Sequence, residues 1–362
     1  MTAMEYLGYM KRGLRRSGPP VHLTLFVTGK CNLRCRHCFH FREVAAGVDG
    51  PSLSQVQALA DSSAAMGPLL WVALAGGEPF LREDLPEVAG AFGRHGVRHI
   101  SIPTNGLVGE RQHESVERML STCPDTHINV AVSIDGTPEI HDNIRQVEGG
   151  YERSLAATRL FVEQSKQHER LGVGLIVTVT RENEDTLSGH LEELVLGAGV
   201  EHLTINLART DALDPELLTV NPDRYREVVM EKRRMQDAGV LNRYEHPFAR
   251  VAEARDRLMY QRVEQVSRGQ GGPHLPCTAG ELSAVIFEDG TVRACEVLDD
   301  DLGNLNEVDW DLSSLWASAE AKALREKIKR TRCECTWECA QADNVLFHPR
   351  TWPKLAAEVL KV

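Results

Sequence analysis

Three cysteines near the N-terminus lie at a spacing that could bind a metal. Cys31, Cys35 and Cys38 form a CxxxCxxC pattern directly after a short apolar run. Three thiolates on one loop can bind three irons of a [4Fe–4S] cube and leave the fourth iron open for another ligand. A zinc site completed by His37 or His40 is the alternative. The position after a strand favours the cluster, because barrel enzymes place their sites at this end of the strands.

A second group of cysteines lies near the C-terminus. The chain has nine cysteines, and in a reducing compartment clustered cysteines more often bind metal than form disulfides. Cys123 stands alone and is predicted to be a structural thiol. The five cysteines of the C-terminal group suffice for one site of four ligands with one to spare: Cys277, Cys295, Cys333, Cys335 and Cys339.

A glycine pair followed by a carboxylate forms the third pattern. Gly76, Gly77 and Glu78 precede Pro79 at the end of an apolar run. The glycines would let a ligand approach the backbone closely, and Glu78 offers a carboxylate to an ammonium group. An ordinary strand-to-helix turn is the alternative.

These patterns lie within an alternation of short apolar runs and longer helical segments. The alternation predicts βα units and a parallel sheet, in an open partial barrel or a doubly wound arrangement. The predicted strands are His22–Val27, Leu70–Ala75, His99–Ile102, Ile128–Ile134, Val173–Val179 and His202–Leu207. The predicted helices between them are Leu53–Ala65, Leu85–His95, Gln112–Thr122, Tyr151–Ser165 and Asn183–Gly197.

The segment from Arg209 to Gly272 differs from the alternating part, since it is charged and poor in strands. Helices are predicted at Pro222–Ala238 and Pro247–Val266. Residues 224–268 carry eleven Lys or Arg against seven Asp or Glu, a hint of an anionic substrate or partner set against the mixed charge usual on helix faces. Three tyrosines here either line a substrate cavity or simply pack: Tyr225, Tyr244 and Tyr260.

The C-terminal part opens with a predicted hairpin. Runs at Ser283–Glu288 and Thr291–Cys295 are joined by Asp289-Gly290, a strong hairpin signal. Glu288 and Asp289 flank the turn and are predicted to be solvated. A single helix is predicted over Leu312–Thr331.

Taken together, the motifs from Leu23 to Leu207 resemble the radical S-adenosylmethionine (SAM) superfamily. They are the three-cysteine pattern followed by Phe39, the GGEP sequence at Gly76–Pro79, Thr104-Asn105-Gly106, and Ser133-Ile134-Asp135-Gly136 followed by Arg145. The resemblance implies a partial (β/α)6 TIM-type barrel. It also implies that SAM chelates the open iron and is cleaved reductively to a 5′-deoxyadenosyl radical, which abstracts hydrogen from a substrate C–H bond.

The resemblance assigns roles to individual residues. Gly77 and Glu78 would contact the SAM amino group, with Glu78 the predicted catalytic residue, and Ser133 and Arg145 would contact the ribose and the carboxylate. His40 stands where close relatives often have Tyr, at the adenine edge. The full set predicted to bind SAM is His40, Gly76, Gly77, Glu78, Asn105, Ser133, Arg145 and Leu207.

The C-terminal cysteines resemble the auxiliary-cluster extension called SPASM, or its shortened form, twitch. Cys277 and Cys295 fit the opening CX12GX4C hairpin, and Gly303-Asn304-Leu305 follows. A full SPASM domain has seven cysteines and two clusters, so five cysteines predict one auxiliary [4Fe–4S] cluster. Its ligands would be Cys277, Cys295, Cys339 and either Cys335 or Cys333. A four-cysteine zinc ribbon is the alternative.

The resemblance also predicts partners and boundaries. A reductant such as flavodoxin or ferredoxin would supply the electron, and the substrate would be a peptide, modified oxidatively, or a small metabolite or lipid. A non-catalytic iron–sulfur or zinc scaffold is the alternative of another class. The predicted divisions are an N-terminal helix (1–20), the barrel (21–208), a helical insertion (209–272) and the auxiliary domain (273–362).

Charge and hydropathy bear on whether the protein binds nucleic acid, spans a membrane or is secreted. The net charge of −11 argues against a nucleic-acid partner. No apolar run approaches the roughly 18 residues of a membrane span, and basic residues interrupt the N-terminus where a signal peptide has its apolar core. We therefore expect a cytoplasmic enzyme without membrane contact.

Overall fold

Nine strands form one continuous sheet in the computed structural model, in the order β6-β5-β4-β3-β2-β1-β7-β8-β9. The structure describes residues 3–16, 18–241, 248–270 and 274–361. The strands are β1 (His22–Phe26), β2 (Trp71–Ala75), β3 (His99–Thr104), β4 (His127–Ser133), β5 (Leu171–Val179), β6 (His202–Leu207), β7 (Ser283–Ile286), β8 (Thr291–Arg293) and β9 (Asp301–Asn304).

The first six strands are parallel and neighbour one another in chain order. Helices connect them, as parallel strands require, so the structure confirms the partial (β/α)6 barrel rather than a doubly wound sheet. The helices are α1 (Ala3–Arg15), α2 (Phe41–Ala46), α3 (Leu53–Met66), α4 (Leu85–Gly93), α5 (Glu110–Thr122), α6 (Pro138–Arg145), α7 (Gly150–Ser165), α8 (Leu187–Ala198), α9 (Pro222–Asp237), α10 (Ala249–Ser267), α11 (Leu312–Trp316), α12 (Ala319–Thr331), α13 (Glu338–Phe347) and α14 (Trp352–Val359).

The predicted C-terminal hairpin is present, and it extends the barrel sheet. β7 pairs with β8 in the antiparallel sense, and on its other side it runs parallel to β1, with His22 opposite Ser283. The auxiliary region therefore shares main-chain hydrogen bonds with the strand that leads into the three-cysteine loop.

Some helices differ from the predictions. The prediction of a single helix over Leu312–Thr331 is wrong, because the structure has two helices there, α11 and α12. The Ser318 side chain caps the start of α12 by accepting a hydrogen bond from the Ala321 N–H at 3.0 Å. The sequence patterns also missed α2, α6, α13 and α14. The predicted start of α10, Pro247, lies outside the described residues.

A continuous apolar core joins the barrel to the auxiliary region. Leu25, Leu74 and Ile100 are fully buried in the barrel strands, and the same cluster contains Cys277 and Trp337. Cys123 is buried in this core and fits its predicted structural role. No described helix combines the length and apolar character needed to cross a membrane.

Candidate active site at the C-terminal ends of the strands

The three-cysteine loop begins where β1 ends. Within it the Cys38 N–H donates to the Cys35 carbonyl at 3.1 Å, and the Leu33 N–H donates to Cys31 Sγ at 3.4 Å. The Arg36 N–H donates to the Ile144 carbonyl at 2.8 Å, which ties the loop to α6. The thiols thus sit on a loop with local and long-range anchors.

The three thiols lie close enough to influence one another's ionisation. Burial is the main cause that raises the pKa of Cys31 to about 11 and that of Cys38 to about 12, and the charge of a Cys35 thiolate contributes to both values. Thiolates are the species that bind iron, so loading a cluster releases protons and relieves this mutual repulsion. All three side chains are only half-buried, which leaves this group open on one side.

The glycines of the GGEP sequence pack against the cysteine loop. A Cβ on Gly76 would lie 2.3 Å from the Thr28 carbonyl oxygen, and one on Gly77 would lie 2.3 Å from the Lys30 carbonyl oxygen. The Gly77 N–H also donates to Thr28 at 2.7 Å. The close approach predicted for a ligand is made here by the protein backbone, so both glycines are needed to seat the loop whether or not they also contact SAM.

Glu78 is buried, and protein groups donate to both of its carboxylate oxygens. Oε1 accepts from the Thr104 hydroxyl at 2.9 Å and the Phe80 N–H at 3.1 Å, and Oε2 accepts from the Asn105 N–H at 2.8 Å. Burial raises the pKa of Glu78 to about 7, and these hydrogen bonds act in the opposite direction. Glu78 therefore links the β2 and β3 loops. Its contact with SAM, and a catalytic role, stay predictions.

Asn105 extends this link to the cysteine loop. Its Nδ2 donates to Asn32 Oδ1 at 2.8 Å, and its Oδ1 accepts from the Leu107 N–H at 2.8 Å. Asn32 directly follows Cys31. The hydrogen bonds between Glu78 and Asn105 and between Asn105 and Asn32 therefore connect the three loops that follow β1, β2 and β3.

Arg145 ends α6 beside Cys35 and pairs with a buried carboxylate. Its Nε and Nη2 donate to Asp135 Oδ2 at 2.8 and 2.7 Å. Burial alone would raise the pKa of Asp135, yet the Arg145 charge holds it below its ordinary value. Ser133 lies half-buried at the end of β4, two residues before Asp135. Contacts of Ser133 and Arg145 with SAM stay predictions, while Asp135 fixes the guanidinium in place.

His40, predicted to contact the adenine edge, is held by the C-terminal hairpin, and its contact with SAM stays a prediction. The residue is buried, its Nε2 lies 2.8 Å from Glu288 Oε1, and its ring centroid is 4.6 Å from that of Phe26. The predicted solvation of Glu288 is wrong, because only 4% of the residue is exposed. The β7–β8 turn folds over the cysteine loop and buries both partners.

A second set of charges, buried or partly buried, lies where β6 ends, and the sequence analysis missed it. The Leu207 N–H donates to Glu338 Oε1 at 2.8 Å, and Arg209 pairs with Glu338 Oε2 at 2.5 Å and with Glu296 at 3.5 Å. Glu296 follows Cys295, and Glu338 precedes Cys339. A carboxylate directly beside a cysteine of the C-terminal group was the sequence signal that could have indicated these charges. The Leu207 N–H thus faces a protein carboxylate, and its contact with SAM stays a prediction.

The C-terminal thiols converge from separate parts of the chain. Burial is the main cause that raises the pKa of Cys277 and of Cys295 to about 12, and the charges of Cys333 and Cys335 contribute to both values. Burial also raises the pKa of the half-buried Cys339 to about 12, and the charges that act most on this thiol are those of Glu296, Arg209 and Glu338. The structure therefore groups Cys333 as well as Cys335 with the hairpin thiols. Cys339 as a ligand stays a prediction.

The donor sets of both groups fit iron–sulfur clusters. By number and type, three thiols on one loop would leave one iron of a cube open, and four of the five C-terminal thiols would suffice for a cube with full protein ligation. Each group also lies beside a guanidinium, the buried Arg145 or the partly buried Arg209, which is a favourable neighbour for an anionic thiolate cluster.

Comparison with known families identifies this arrangement. The sequence model of the radical SAM superfamily matches residues 25–194, and that of the SPASM iron–sulfur cluster-binding domain matches residues 277–340. The chain belongs to the radical SAM superfamily. Its cofactors are [4Fe–4S] clusters and SAM, and its C-terminal domain is of the SPASM type.

Curated relatives of this radical SAM protein have several activities. It is 26% identical over 328 residues to an AdoMet-dependent heme synthase of Oleidesulfovibrio alaskensis, covering 86% of this chain and 78% of that protein. It is 35% identical over 167 residues to a pre-heme d1 synthase of Dinoroseobacter shibae (44% and 37% covered) and 28% identical over 187 residues to a PqqA peptide cyclase of Xanthomonas campestris (52% and 46% covered). The chain thus matches less than half of the length of each of the last two relatives.

Solved structures share the fold. Streptococcus suis SuiB bound to S-adenosylmethionine superposes with a TM-score of 0.63 at 16% identity, covering 89% of this chain and 71% of SuiB. The protein anSMEcpe with bound AdoMet gives a TM-score of 0.61 at 16% identity, covering 95% of this chain and all of that one. At this identity the likeness extends to the fold alone.

Proposed function

We propose that this radical SAM protein oxidises a substrate carbon by two electrons. When bound, the cluster at Cys31, Cys35 and Cys38 supplies the electron that cleaves SAM to methionine and a 5′-deoxyadenosyl radical, and the auxiliary cluster accepts an electron after hydrogen abstraction. The substrate then loses one hydrogen atom to 5′-deoxyadenosine and one electron to the protein, and a proton leaves when a double bond or a new bond forms.

The hydrogen bonds between the segments that carry the two groups of thiols are the observation that carries this proposal. The His40–Glu288 hydrogen bond of 2.8 Å joins the cysteine loop to the hairpin that leads to Cys295. The bond from Leu207 to Glu338 joins the end of β6 to the segment that holds Cys339. A radical generated at the barrel edge therefore lies beside the auxiliary region, as an electron transfer from substrate to cluster requires.

The chain's own residues act by positioning. Glu78, Thr104 and Asn105 hold the loops around the open side of the cysteine group, and the Asp135 carboxylate orients Arg145 towards the place predicted for the SAM carboxylate. Preorganised donors of this kind need no rearrangement when the ligand binds.

For the substrate we propose a ribosomal peptide, which the PqqA peptide cyclase among the relatives supports. A carboxylate-bearing small metabolite is the second candidate. The heme synthase match over 86% of the chain favours it.

An anaerobic assay tests the proposal. The reconstituted chain, with SAM and dithionite, should form 5′-deoxyadenosine, and a deuterated substrate should transfer deuterium into that product. Candidate precursor peptides and carboxylated tetrapyrroles are compared by deuterium transfer. Absence of 5′-deoxyadenosine from a chain with full iron content would contradict the radical SAM activity, whereas formation without transfer from either class would contradict the substrates proposed.

A further inference from the structure

A polar cavity of about 660 Å³ lies between α9 and α10, outside the edge strand β6. Its volume is in the range of small-molecule sites. Five basic and four acidic side chains line it, which leaves one excess positive charge in a chain of net charge −11. Two of the three tyrosines singled out from the sequence, Tyr225 and Tyr260, form part of its wall. Tyr244 lies outside the described residues.

Lys232 is the first unusual group in this wall. Only 8% of the residue is exposed, its ammonium donates to the Tyr260 hydroxyl at 3.0 Å, and it lies 4.7 Å from the centre of the Tyr260 ring. Within the described parts of the chain, no carboxylate forms an ion pair with it. A buried cation without a counter-charge is costly, so an anion in the cavity would stabilise Lys232.

Arg257 and Tyr225 add further donors without partners. Arg257 Nη2 is held by Asp237 at 3.0 Å and by Glu253 at 2.8 Å, while Nε and Nη1 are buried and have no hydrogen bond within the described chain. The Tyr225 hydroxyl is likewise buried without a partner. Buried polar groups are normally satisfied, and three unmet donors on one cavity point to a ligand rich in acceptors.

The charge balance selects the kind of acceptor. The carboxylates nearest the cavity mouth are already paired, since Asp223 and Glu264 both contact Arg268. One excess positive charge matches one carboxylate, whereas a phosphate dianion would leave the cavity negative. We propose that the α9–α10 cavity binds a carboxylate-bearing ligand through Lys232, Arg257 and Tyr225.

The cavity wall is continuous with the reaction site. The Tyr260 hydroxyl accepts from the Ile205 N–H of β6 at 3.2 Å, and Ile205 lies two residues before Leu207. Burial raises the pKa of Tyr225, and the charges of Glu338 and Arg209 also act on it. A ligand held here would reach from the outer side of β6 towards the end of that strand. The carboxylate then belongs to the substrate, remote from the reacting carbon, and this last step rests on the proposed function.

Titration calorimetry on the anaerobically reconstituted full chain tests the site without SAM or reductant. The probes are butyrate, an N-acetylated penta-alanine peptide whose C-terminus is its one carboxylate, and inorganic phosphate, with sodium chloride at matched ionic strength as the control. We expect butyrate, the peptide or both to bind, while sodium chloride gives no saturable signal. Tighter binding of the peptide identifies a peptide source for the carboxylate, and equal or tighter binding of butyrate identifies a small molecule.

Three variants localise the binding. Tyr225→Phe removes only the unpartnered hydroxyl, so it should keep the thermal midpoint and weaken binding about tenfold. Lys232→Met removes the charge and keeps the chain length, and it should abolish binding. Arg234→Met removes a charge from the same helix at an exposed position paired with Glu231 and Glu192, and it should bind like the wild type.

Two results would overturn the proposal. The first is carboxylate binding that Lys232→Met and Tyr225→Phe both leave unchanged, or no binding at all. The second is phosphate binding tighter than that of either carboxylate probe. The binding assay needs no turnover. Its result can therefore be interpreted even if the radical reaction proposed above does not occur.

Discussion

The two thiol groups of this protein are built in opposite ways. Cys31, Cys35 and Cys38 lie within eight consecutive residues of one half-exposed loop, whereas Cys277 and Cys295 are buried and meet Cys333 and Cys335 from a distant part of the chain. Three thiols on one loop suit a cluster that must also bind SAM, and a larger set gathered from separate segments suits one that only exchanges electrons. The number and origin of the thiols, more than their exposure, separate the two groups, because Cys333, Cys335 and Cys339 are as half-buried as the first three.

Their surroundings differ in the same sense. Around the first group, Glu78, Asn105 and Asn32 form a hydrogen-bonded link that holds loops in place. Around the second, the hairpin strand β7 pairs with β1 and the thiols join the apolar core. Loss of the first group should therefore affect chemistry more than folding, and loss of the second should affect both.

The largest effect is expected from Cys35→Ala. A cube held by two thiolates is not retained, so the folded protein should form no 5′-deoxyadenosine from SAM and dithionite. Circular dichroism checks the fold, and Cys123→Ala serves as the control because that thiol lies in the core away from both groups. Normal SAM cleavage by Cys35→Ala would remove the basis for assigning the first site.

Joint replacement of Cys277 and Cys295 by alanine should uncouple the reaction. SAM cleavage should persist at a reduced rate, since the first group lies in the barrel, and product should vanish because the electron acceptor is lost. Measuring 5′-deoxyadenosine and product in the same reaction gives the amount of product formed per SAM cleaved, which should fall to zero in the double variant. If the cluster serves only to hold the small domain together, the double variant aggregates instead, and a soluble variant that still makes product would disprove the acceptor role.

Glu78→Gln should weaken SAM binding on the order of tenfold to a hundredfold. In either orientation of the Gln amide, its NH2 group would face a hydrogen-bond donor, the Asn105 N–H or the Thr104 hydroxyl. One hydrogen bond between the loops would then be lost, and the loops would separate. Equilibrium binding of SAM at constant iron content measures the effect. The control is Glu83→Gln, at an exposed carboxylate paired with Arg111, and equal affinities in the two variants would show that Glu78 does not organise the SAM site.

The smallest effect is expected where the two regions touch. His40→Ala leaves Glu288 buried without its partner, which should cost about 1–3 kcal/mol in the free energy of unfolding. Glu288→Gln keeps a hydrogen bond to His40 and should cost less. Thermal unfolding of the reconstituted variants compares them, and a fully stable His40→Ala variant would mean that the contact does not join the regions.

Local signals predicted much of the fold. His202–Leu207 is a strand with the predicted ends, because a short apolar run bounded by polar residues has few alternatives. The Asp289-Gly290 turn was predicted for the same kind of reason, yet its place over the cysteine loop was not. That place depends on the pairing of β7 with β1, some 260 residues apart in sequence, and no local pattern encodes it.

In the site, too, the sequence predicted which residues matter but not which residues they contact. The sequence indicated that Glu78 is a functional carboxylate, but not that Thr104 and Asn105 are its donors. Family resemblance named His40 as a SAM contact, but nothing in the sequence indicated that Glu288 is its partner in the protein. Partners of buried polar groups come from tertiary packing, so spacing along the chain predicts the group and leaves its partner open.

Iron counting with Mössbauer spectroscopy tests the central claim, that two separate clusters occupy the two thiol groups. The fully reconstituted chain should hold about eight irons as two [4Fe–4S] cubes, and the Cys277 and Cys295 double variant should hold about four. Only the signal of the barrel cluster should respond to SAM. About four irons in the wild type, or stoichiometric zinc in the C-terminal group, would contradict the account.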